Sequence, residues 1–372
     1  MKVLLIGANG YGARFLNPLF DLHKAGRITF EGIVTRSAFP MQEELEAAGI
    51  SAYKTLDAFY AEHSADMALI STPSFLHREQ AIFCVEHGSH VLCEKPAAPT
   101  VDQVDEMIEA MEKTGKFIAI GYQRCFSPVV LELKKDILAG VFGKPLSAKC
   151  QCSGNRAFAY YSRGGGYAGH VATKDGKIIL DSPVANACSH YVQEMLFLLG
   201  DKMDTSANPT LVQGECYRAN DITNFDTCFL KLTVGNNIPV YFNSSHAVEV
   251  KTPLSAHYEF EKGTINLVDG NLIATFSDGT VKDYGSPAPK DETQYSTKII
   301  HCIEAIEKGI TPVCTVKTAR PHVKMICDIH KQIPIQNFPE EEKIYLEDKL
   351  YVRDLQDKML EAYRKECMLS EV

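Results

Sequence analysis

The chain has 372 residues and a mass of 41.2 kDa, more than one hydrophobic core usually serves, so two domains are expected. Its net charge is -9 and no segment concentrates Lys and Arg, which argues against nucleic acid as a partner. No apolar run approaches the roughly 18 residues of a membrane span, and the first one stops at Gly7, too early for a signal peptide. The composition therefore predicts a soluble protein with no membrane partner.

The twelve cysteines are scattered, and several lie inside apolar runs. This usage is typical of reduced core thiols and favours a cytoplasmic location. Cys150 and Cys152 have one residue between them, which is closer than the spacing of the usual zinc pairs, so no metal site is predicted.

The first third of the chain alternates strand-like and helix-like segments, which predicts a parallel sheet covered by helices. The strand candidates are Val3–Ile6, Phe30–Val34, Met67–Ser71, Val91–Cys93 and Phe117–Ile120. Thr100 and Gln103 form a capping-box pattern before a helix that extends to Lys113. Residues 1–122 are therefore predicted to form a Rossmann domain, a doubly wound α/β fold.

Glycines follow the first strand at positions 7, 10 and 12, in the loop Gly7-Ala8-Asn9-Gly10-Tyr11-Gly12, and precede a helix predicted over residues 13–22. Such glycines allow a tight turn and let a pyrophosphate approach the amides at the start of the helix. The loop, with Asn9 and Tyr11, therefore predicts a dinucleotide site. An ordinary strand-to-helix turn is the alternative.

Thr35, Arg36 and Ser37 end the second strand, where an NAD enzyme normally carries a carboxylate for the ribose hydroxyls. Arg36 is suited instead to pair with a 2′-phosphate, which favours NADP over NAD as cofactor. The alternative is that Arg36 stacks on adenine or faces water.

Glu94-Lys95-Pro96 closes a short apolar strand at the sheet edge where such folds bind ligands. Lys95 would exchange a proton with a substrate hydroxyl beside the nicotinamide, once partial burial beside other cations lowers its pKa from about 10.4. Glu94 is expected to hold the lysine in place or contact the cofactor, and Pro96 to fix the backbone, with a cis bond as one way to do so. A surface Lys-Pro turn is the alternative.

From about Pro145, alternating segments separated by hairpin-turn sequences predict a mostly antiparallel sheet. The strand candidates are Leu211–Arg218, Asp226–Val234, Val240–Ser245, Ala256–Phe260, Thr264–Val268 and Leu272–Phe276, and the helix candidates are Ala185–Leu199, Ser296–Glu307 and Ala319–Gln332. Residues 123–338 are therefore predicted to form an α+β domain that binds substrate. Residues 339–372 would be a helical tail, in which Arg353–Glu366 forms a solvated cap helix or, alternatively, an oligomer contact.

Two polar residues of the predicted helix 185–199, Asn186 and His190, have i, i+4 spacing and so would share one helix face. His190 would relay the proton or orient the substrate carbinol, and Asn186 would bind an adjacent hydroxyl. Tyr161 and Arg163, just upstream, would suit a polyol or carboxylated sugar. A structural histidine and ordinary loop residues are the alternatives.

In these motifs the chain resembles the Gfo/Idh/MocA family of oxidoreductases. The resemblance extends to about Gly200, and it rests on the glycine loop, Ser71-Thr72-Pro73-Ser74-x-x-His77, Glu94-Lys95-Pro96, Gly121-Tyr122-Gln123-Arg124 and the helix with His190. It implies that the segment from Ser71, with Thr72, Pro73 and His77, lines the cofactor groove and that Gln123 approaches the nicotinamide. It also implies that Lys95 is the catalytic proton donor or acceptor, and that an open C-terminal sheet forms a homodimer or homotetramer.

One position departs from that family. Many of its sugar and inositol dehydrogenases have aspartate four residues before the histidine, where this chain has Asn186. The change removes a carboxylate that would raise the basicity of His190. Asp181 is the nearest upstream acid and the candidate substitute.

The sequence therefore predicts a dehydrogenase or reductase that moves hydride between NADP(H) or NAD(H) and a secondary alcohol or ketone of a sugar, inositol or related polyol. Lys95 is the first candidate for the proton transfer and His190 the second. Arg124, Tyr161, Arg163 and Asn186 are candidates for substrate contacts. An NAD-dependent glycoside hydrolase acting by transient oxidation and a non-catalytic dinucleotide-binding regulator are the alternatives, because a fold does not decide a function.

Overall fold

The structure is a computed structural model that describes residues 1–162, 165–288 and 293–372. By compactness the chain divides into two units, and each is described by itself. The first unit contains Met1–Phe126 and Pro289–Arg320, and the second contains Ser127–Ala288 and Pro321–Val372. These units differ from the predicted division at residues 122 and 338 because a segment late in the chain packs with the first unit.

The strands are β1 (Lys2–Ile6), β2 (Thr29–Val34), β3 (Ala52–Tyr53), β4 (Met67–Ile70), β5 (His90–Cys93), β6 (Ile118–Ile120), β7 (Pro145–Ser153), β8 (Pro209–Arg218), β9 (Thr227–Val234), β10 (Ile238–Ser245), β11 (Ser255–Phe260), β12 (Gly263–Val268), β13 (Asn271–Phe276), β14 (Val281–Asp283), β15 (Ile335–Asn337), β16 (Lys343–Tyr345) and β17 (Leu350–Val352). The helices are α1 (Leu16–Lys24), α2 (Gln42–Ala47), α3 (Leu56–Glu62), α4 (His77–Glu86), α5 (Val101–Thr114), α6 (Pro128–Leu138), α7 (Phe158–Ser162), α8 (Ser189–Leu198), α9 (Thr293–Lys308), α10 (Val316–Gln332) and α11 (Leu355–Lys365).

The sheet of the first unit is parallel, in the strand order β3-β2-β1-β4-β5-β6. Every residue of β4 is buried, as in strands that are covered on both faces. The strand order reverses between β1 and β4, and a sheet of this kind binds ligands outside the carboxyl ends of the strands at that point. The predicted Rossmann sheet is confirmed. Both ends of each of the five predicted strands lie within one residue of the ends of the observed strand.

Local sequence signals account for the helix ends near this sheet. The Thr100 side chain accepts a hydrogen bond from the Gln103 backbone N–H and so caps α5, as its sequence predicts. The predicted helix over residues 13–22 is instead a short 3-10 turn, Gly12–Phe15, followed by α1. Pro18 lies in the first turn of α1, where its missing N–H leaves no hydrogen bond unmade.

The late segment of the first unit is centred on α9. Its buried residues Ile299, Cys302 and Ile303 lie on one helical stripe. Beyond α9, Thr315 forms an antiparallel bridge with Ala119 of β6. Apolar burial and backbone pairing therefore attach this segment to the Rossmann sheet.

The second unit is built on a nine-stranded mixed sheet in the order β14-β13-β12-β11-β7-β10-β9-β8-β15. Its pairs are antiparallel except β10 with β7 and β15 with β8, which confirms the predicted mostly antiparallel sheet. The central strand β7 was not predicted. Its sequence, Pro145-Leu-Ser-Ala-Lys-Cys-Gln-Cys-Ser153, has small and polar residues on both faces and therefore lacks a clear apolar alternation.

The C-terminal segment packs on this same sheet. Met359 and Ala362 of α11 are fully buried in a cluster with Phe229 and Tyr241 of the sheet. The Met359 carbonyl also accepts a hydrogen bond of 3.1 Å from the Asn243 amide. The predicted amphipathic helix is therefore present, and its apolar face is buried within its own unit.

In the part of the chain that the structure describes, no helix combines the length and the apolar character that crossing a membrane requires.

Candidate active site

The glycine loop packs too tightly for side chains at two of its positions. A Cβ at Gly7, where φ is +87°, would lie 2.5 Å from the Ser71 carbonyl oxygen, and one at Gly12 would lie 2.0 Å from the Gly7 carbonyl oxygen. At Gly10 a Cβ would meet nothing within 4 Å, so this side of the loop faces open space. Glycine is thus needed where the loop contacts the ends of β1 and β4, and the opposite side is accessible to a ligand.

Asn9 connects this loop to the residues after β2. Its side-chain amide donates hydrogen bonds of 3.1 Å to the Ser37 hydroxyl and to the Ala38 carbonyl. The Gly7 N–H donates to the Val34 carbonyl at 2.9 Å. The two loops predicted to bind the cofactor are therefore held together by hydrogen bonds.

A groove of about 330 Å³ opens at the carboxyl ends of β1, β2 and β4. Its lining residues include Gly7, Thr35, Arg36, Lys54, Asp57 and Thr72. Arg36 is exposed, and the Lys54 ammonium donates to the Arg36 carbonyl at 3.5 Å. The groove is lined by two cations, Arg36 and Lys54, and by two carboxylates, those of Asp57 and Glu79. The exposed Arg36 guanidinium is the group in this groove that fits a dinucleotide phosphate.

His77 is buried behind the groove. Its Nε2 lies 2.8 Å from the Thr72 carbonyl and its Nδ1 lies 2.9 Å from the Pro96 carbonyl. Only 1% of the residue is exposed, so the ring holds the Thr72 and Pro96 loops together. Pro73 and Ser71 belong to the same connection, which leads from β4 into α4.

Lys95 follows β5 and is partly buried. The Lys95–Pro96 peptide is cis. The Lys95 N–H donates to the Glu94 carboxylate at 3.3 Å, and this carboxylate forms an ion pair with Lys298 of α9. Glu94 is 6% exposed and Lys298 is completely buried.

Lys298 was not among the predicted site residues. A signal for it exists in the sequence, because it lies on the buried stripe of α9, three residues after Tyr295 and four before Cys302. A lysine on an apolar stripe requires a partner, but the sequence does not say that this partner lies about 200 residues earlier.

Gln123 and Arg124 form a short 3-10 helix, Gln123–Phe126, directly after β6. Arg124 is 6% exposed. A Cβ at Gly121, two residues earlier, would lie 2.9 Å from the Glu94 carboxylate, so this glycine lets the carboxylate approach the backbone.

In the second unit the predicted helix 185–199 is wrong at its start. Helix α8 begins at Ser189, so Asn186 precedes it and does not share a helix face with His190, which lies in its first turn. The reason is a turn before the helix: the Asn186 amide donates to the Asp181 carboxylate at 2.8 Å, and the Ser189 hydroxyl donates to the Asn186 carbonyl at 2.6 Å. Asp181 therefore supports Asn186.

Tyr161 lies on α7 and is 9% exposed, packed with Ala168 and Ile222. Its hydroxyl accepts a hydrogen bond of 3.4 Å from the Asn220 amide, and burial raises the pKa of Tyr161 above its usual value. The predicted substrate residue Arg163 lies outside the described residues.

The predicted cofactor residues, Lys95, Gln123 and Arg124 all belong to the first unit, and Tyr161, Asn186 and His190 belong to the second. Among the described residues, no three His, Cys, Asp or Glu side chains are grouped so that they could hold a metal ion.

Residues 1–122 match the family model described as the oxidoreductase family with an NAD-binding Rossmann fold. The scyllo-inositol 2-dehydrogenase (NADP+) IolU of Bacillus subtilis is 30% identical over 155 residues, which are 41% of this chain and 46% of that protein. The 2,7-anhydro-N-acetylneuraminate hydratase of Mediterraneibacter gnavus is 36% identical over 91 residues, 24% of each protein. These matches span less than half of each relative.

The fold is similar over a longer range. An oxidoreductase from Agrobacterium radiobacter, solved with NAD+, L-tartaric acid and magnesium, superimposes with a TM-score of 0.71 at 18% identity. The match covers 89% of this chain and 95% of that one. Residues 1–122 therefore match the Gfo/Idh/MocA model of NAD-binding oxidoreductase domains, and the likeness to solved structures extends the similarity of fold over most of the chain.

Proposed function

We propose that the protein is an NAD(P)-dependent oxidoreductase that moves hydride between the cofactor and a secondary alcohol or ketone of a sugar, inositol or related polyol. The observation that carries the proposal is the position of Glu94-Lys95-Pro96, which follows β5 in the same unit as the glycine loop and the groove lined by Arg36. A lysine at that edge of a parallel sheet is suited to act on a ligand bound there.

The bound nicotinamide would supply or accept the hydride. The residues of the chain would bind the cofactor and transfer the proton. The glycine loop would hold the pyrophosphate, and Thr35, Arg36 and Ser37 would contact the adenosine ribose. Ser71, Thr72 and Pro73 would line the next part of the groove. Lys95 Nζ would take the hydroxyl proton during oxidation and return it during reduction.

Arg124, Asn186 and His190 are the candidates for substrate contacts among the described residues, with Gln123 as the candidate for the nicotinamide and His190 as the second proton carrier. Asp181 would orient Asn186 through their hydrogen bond. A polyol suits such a set because amide, imidazole and guanidinium groups all form hydrogen bonds with neighbouring hydroxyls.

The relatives support this substrate class in two ways. An inositol dehydrogenase is named for oxidation of a cyclic polyol, and its name specifies NADP+. A hydratase of an anhydro-sugar is a second relative, and its name states no net oxidation. The first function is favoured for this chain, and a reaction without net cofactor turnover remains the second candidate.

The experiment is a titration of the purified protein with NADPH and NADH, followed by a panel of polyols and sugars read at the absorbance of the reduced nicotinamide. A change in absorbance with one compound would establish the dehydrogenase and its substrate class. Tight cofactor binding without any absorbance change, but with conversion of a sugar glycoside or anhydro-sugar detected by chromatography, would select the second candidate. Absence of cofactor binding would contradict both.

Replacement of Lys95 by alanine should lower turnover by about 10²- to 10⁴-fold, the usual contribution of a positioned proton donor, and leave the cofactor dissociation constant nearly unchanged. Lys113→Ala is the matched control, because Lys113 is an exposed lysine of α5 in the same unit. Turnover of Lys95→Ala at the wild-type rate would contradict the assignment of the proton to Lys95.

A further inference from the structure

The immediate neighbour of Lys95 carries a negative charge that is matched by an unexpected partner. Glu94 is 6% exposed, and its carboxylate lies in an ion pair with the completely buried ammonium of Lys298. Lys298 reaches this position from α9, 204 residues later in the chain. A charge removed from water in this way is costly unless it is paired, so the two side chains depend on each other.

Contacts on several sides hold the Lys298 ammonium in place. It lies 5.7 Å from the centre of the Tyr11 ring and 5.0 Å from that of the Phe15 ring, both in or next to the glycine loop. The Arg14 guanidinium donates to the Tyr295 hydroxyl at 2.6 Å, and the Tyr295 ring packs edge-to-face with the Tyr11 ring. The pair thus connects α9, the glycine loop and the residue before Lys95.

Among the described residues near the pair, burial favours the neutral form of five titratable side chains. Burial raises the pKa of Tyr11, Cys93 and Tyr122 above the usual values, and raises that of Cys302 to about 12. Burial also lowers the pKa of His77, although its two carbonyl neighbours act in the opposite direction. The Arg14 guanidinium is a further cation nearby, 6.0 Å from the centre of the Tyr11 ring.

We propose that Lys298 is a positioning residue that balances the Glu94 carboxylate and thereby sets the pH range in which Lys95 exchanges its proton. The inference rests on the proposed function of Lys95. Without Lys298, the Glu94 carboxylate would attract the ammonium of Lys95, the next residue in the chain, and favour its protonated form. Without Glu94, the buried Lys298 cation would repel that ammonium and favour the neutral amine.

The two single substitutions therefore have opposite effects, which a merely structural ion pair would not produce. Lys298→Met should move the protonation midpoint of Lys95 to higher pH by about one unit, and Glu94→Gln should move it to lower pH by about the same amount. The double variant should return close to the wild-type midpoint because both charges are gone. Lys298→Arg keeps the charge and should leave the midpoint unchanged.

The measurement is trace acetylation with acetic anhydride over a range of pH, with the label on the Lys95 peptide quantified by mass spectrometry. The exposed Lys113 of the same protein is the internal reference. This readout needs neither cofactor nor substrate, so it tests the inference even if the proposed function fails. Where turnover is found, the pH limb of kcat for alcohol oxidation should shift in the same directions.

Equal midpoints in the two single variants would overturn the inference and leave the pair with a structural role. If Lys298→Met does not fold, Glu94→Gln decides the question, since it keeps the volume of the side chain. Its downward shift must be present and must disappear in the double variant. A Lys95→Ala protein with full turnover would contradict the proposed function alone.

Discussion

The residues of the candidate cofactor site differ in whether the fold itself requires them. Gly7 and Gly12 are required by contact, because any Cβ at these positions would overlap a backbone carbonyl. Arg36 is different, because it is exposed and nothing in its own backbone requires an arginine. A residue of this kind is expected to be selected by what it binds.

Arg36→Ala should therefore weaken NADPH binding by about 10- to 100-fold, the loss expected for a hydrogen bond to a charged group, and change NADH binding much less. The assay is fluorescence titration of each variant with both cofactors. Arg78→Ala is the control, because Arg78 is paired with Glu106 on the surface of α4 and α5. An equal loss for the two cofactors would indicate that Arg36 stacks on adenine.

At the scale of elements, amphipathic patterns were informative where a buried face was long enough. The pattern over residues 101–113 predicted α5, and that over 353–366 predicted α11. The strand β7 and the start of α8 were not predicted correctly. Strand β7 has no clear apolar alternation and pairs with β10 and β11 on its two sides. Before α8, the Asp181 carboxylate stabilises a turn in a sequence that also suits a helix.

The C-terminal helix offers a test at this scale. Met359→Ala removes a fully buried side chain from the cluster between α11 and the sheet, and should cost about 2–5 kcal/mol of unfolding free energy. Urea unfolding followed by circular dichroism measures this loss. Arg364→Ala, an exposed position of the same helix, should change stability by less than about 0.5 kcal/mol. A small effect at Met359 would mean that α11 is a solvated helix.

At the scale of the whole molecule, the open sheet remains the predicted surface for a second copy of the chain. Lys149 of β7 forms an ion pair with Glu366, just after α11, so the face that includes Lys149 is the one this segment covers. The register continues that face through His257 and Asn266 to Ile273 of β13. The partly exposed residues of the outer strands on this face are therefore available to a partner.

Light scattering should accordingly give a mass of a homodimer or homotetramer, above the 41.2 kDa of one chain. Ile273→Glu should reduce this mass, because burying an unpaired carboxylate in an interface is costly. Val250→Glu, in an exposed loop after β10, should leave the mass unchanged. A wild-type mass of one chain would contradict the predicted assembly.

The sequence by itself determined the features that short segments encode. The alternation of strand-like and helix-like segments predicted the Rossmann sheet, and the glycine spacing predicted the loop after β1. Glu94-Lys95-Pro96 marked the end of β5. These signals were readable because each depends on neighbouring residues: a strand end, a tight turn and a helix start are set by local geometry.

The tertiary structure decided which distant residues share a site. Only folding brought Lys298 to Glu94, connected Asn9 to Ser37 and packed α11 against the second sheet. The residues joined by these contacts lie 28 to 204 positions apart in the chain. They form because a buried charge, amide or apolar face must find a partner wherever the packed core provides one, and no local pattern specifies that position.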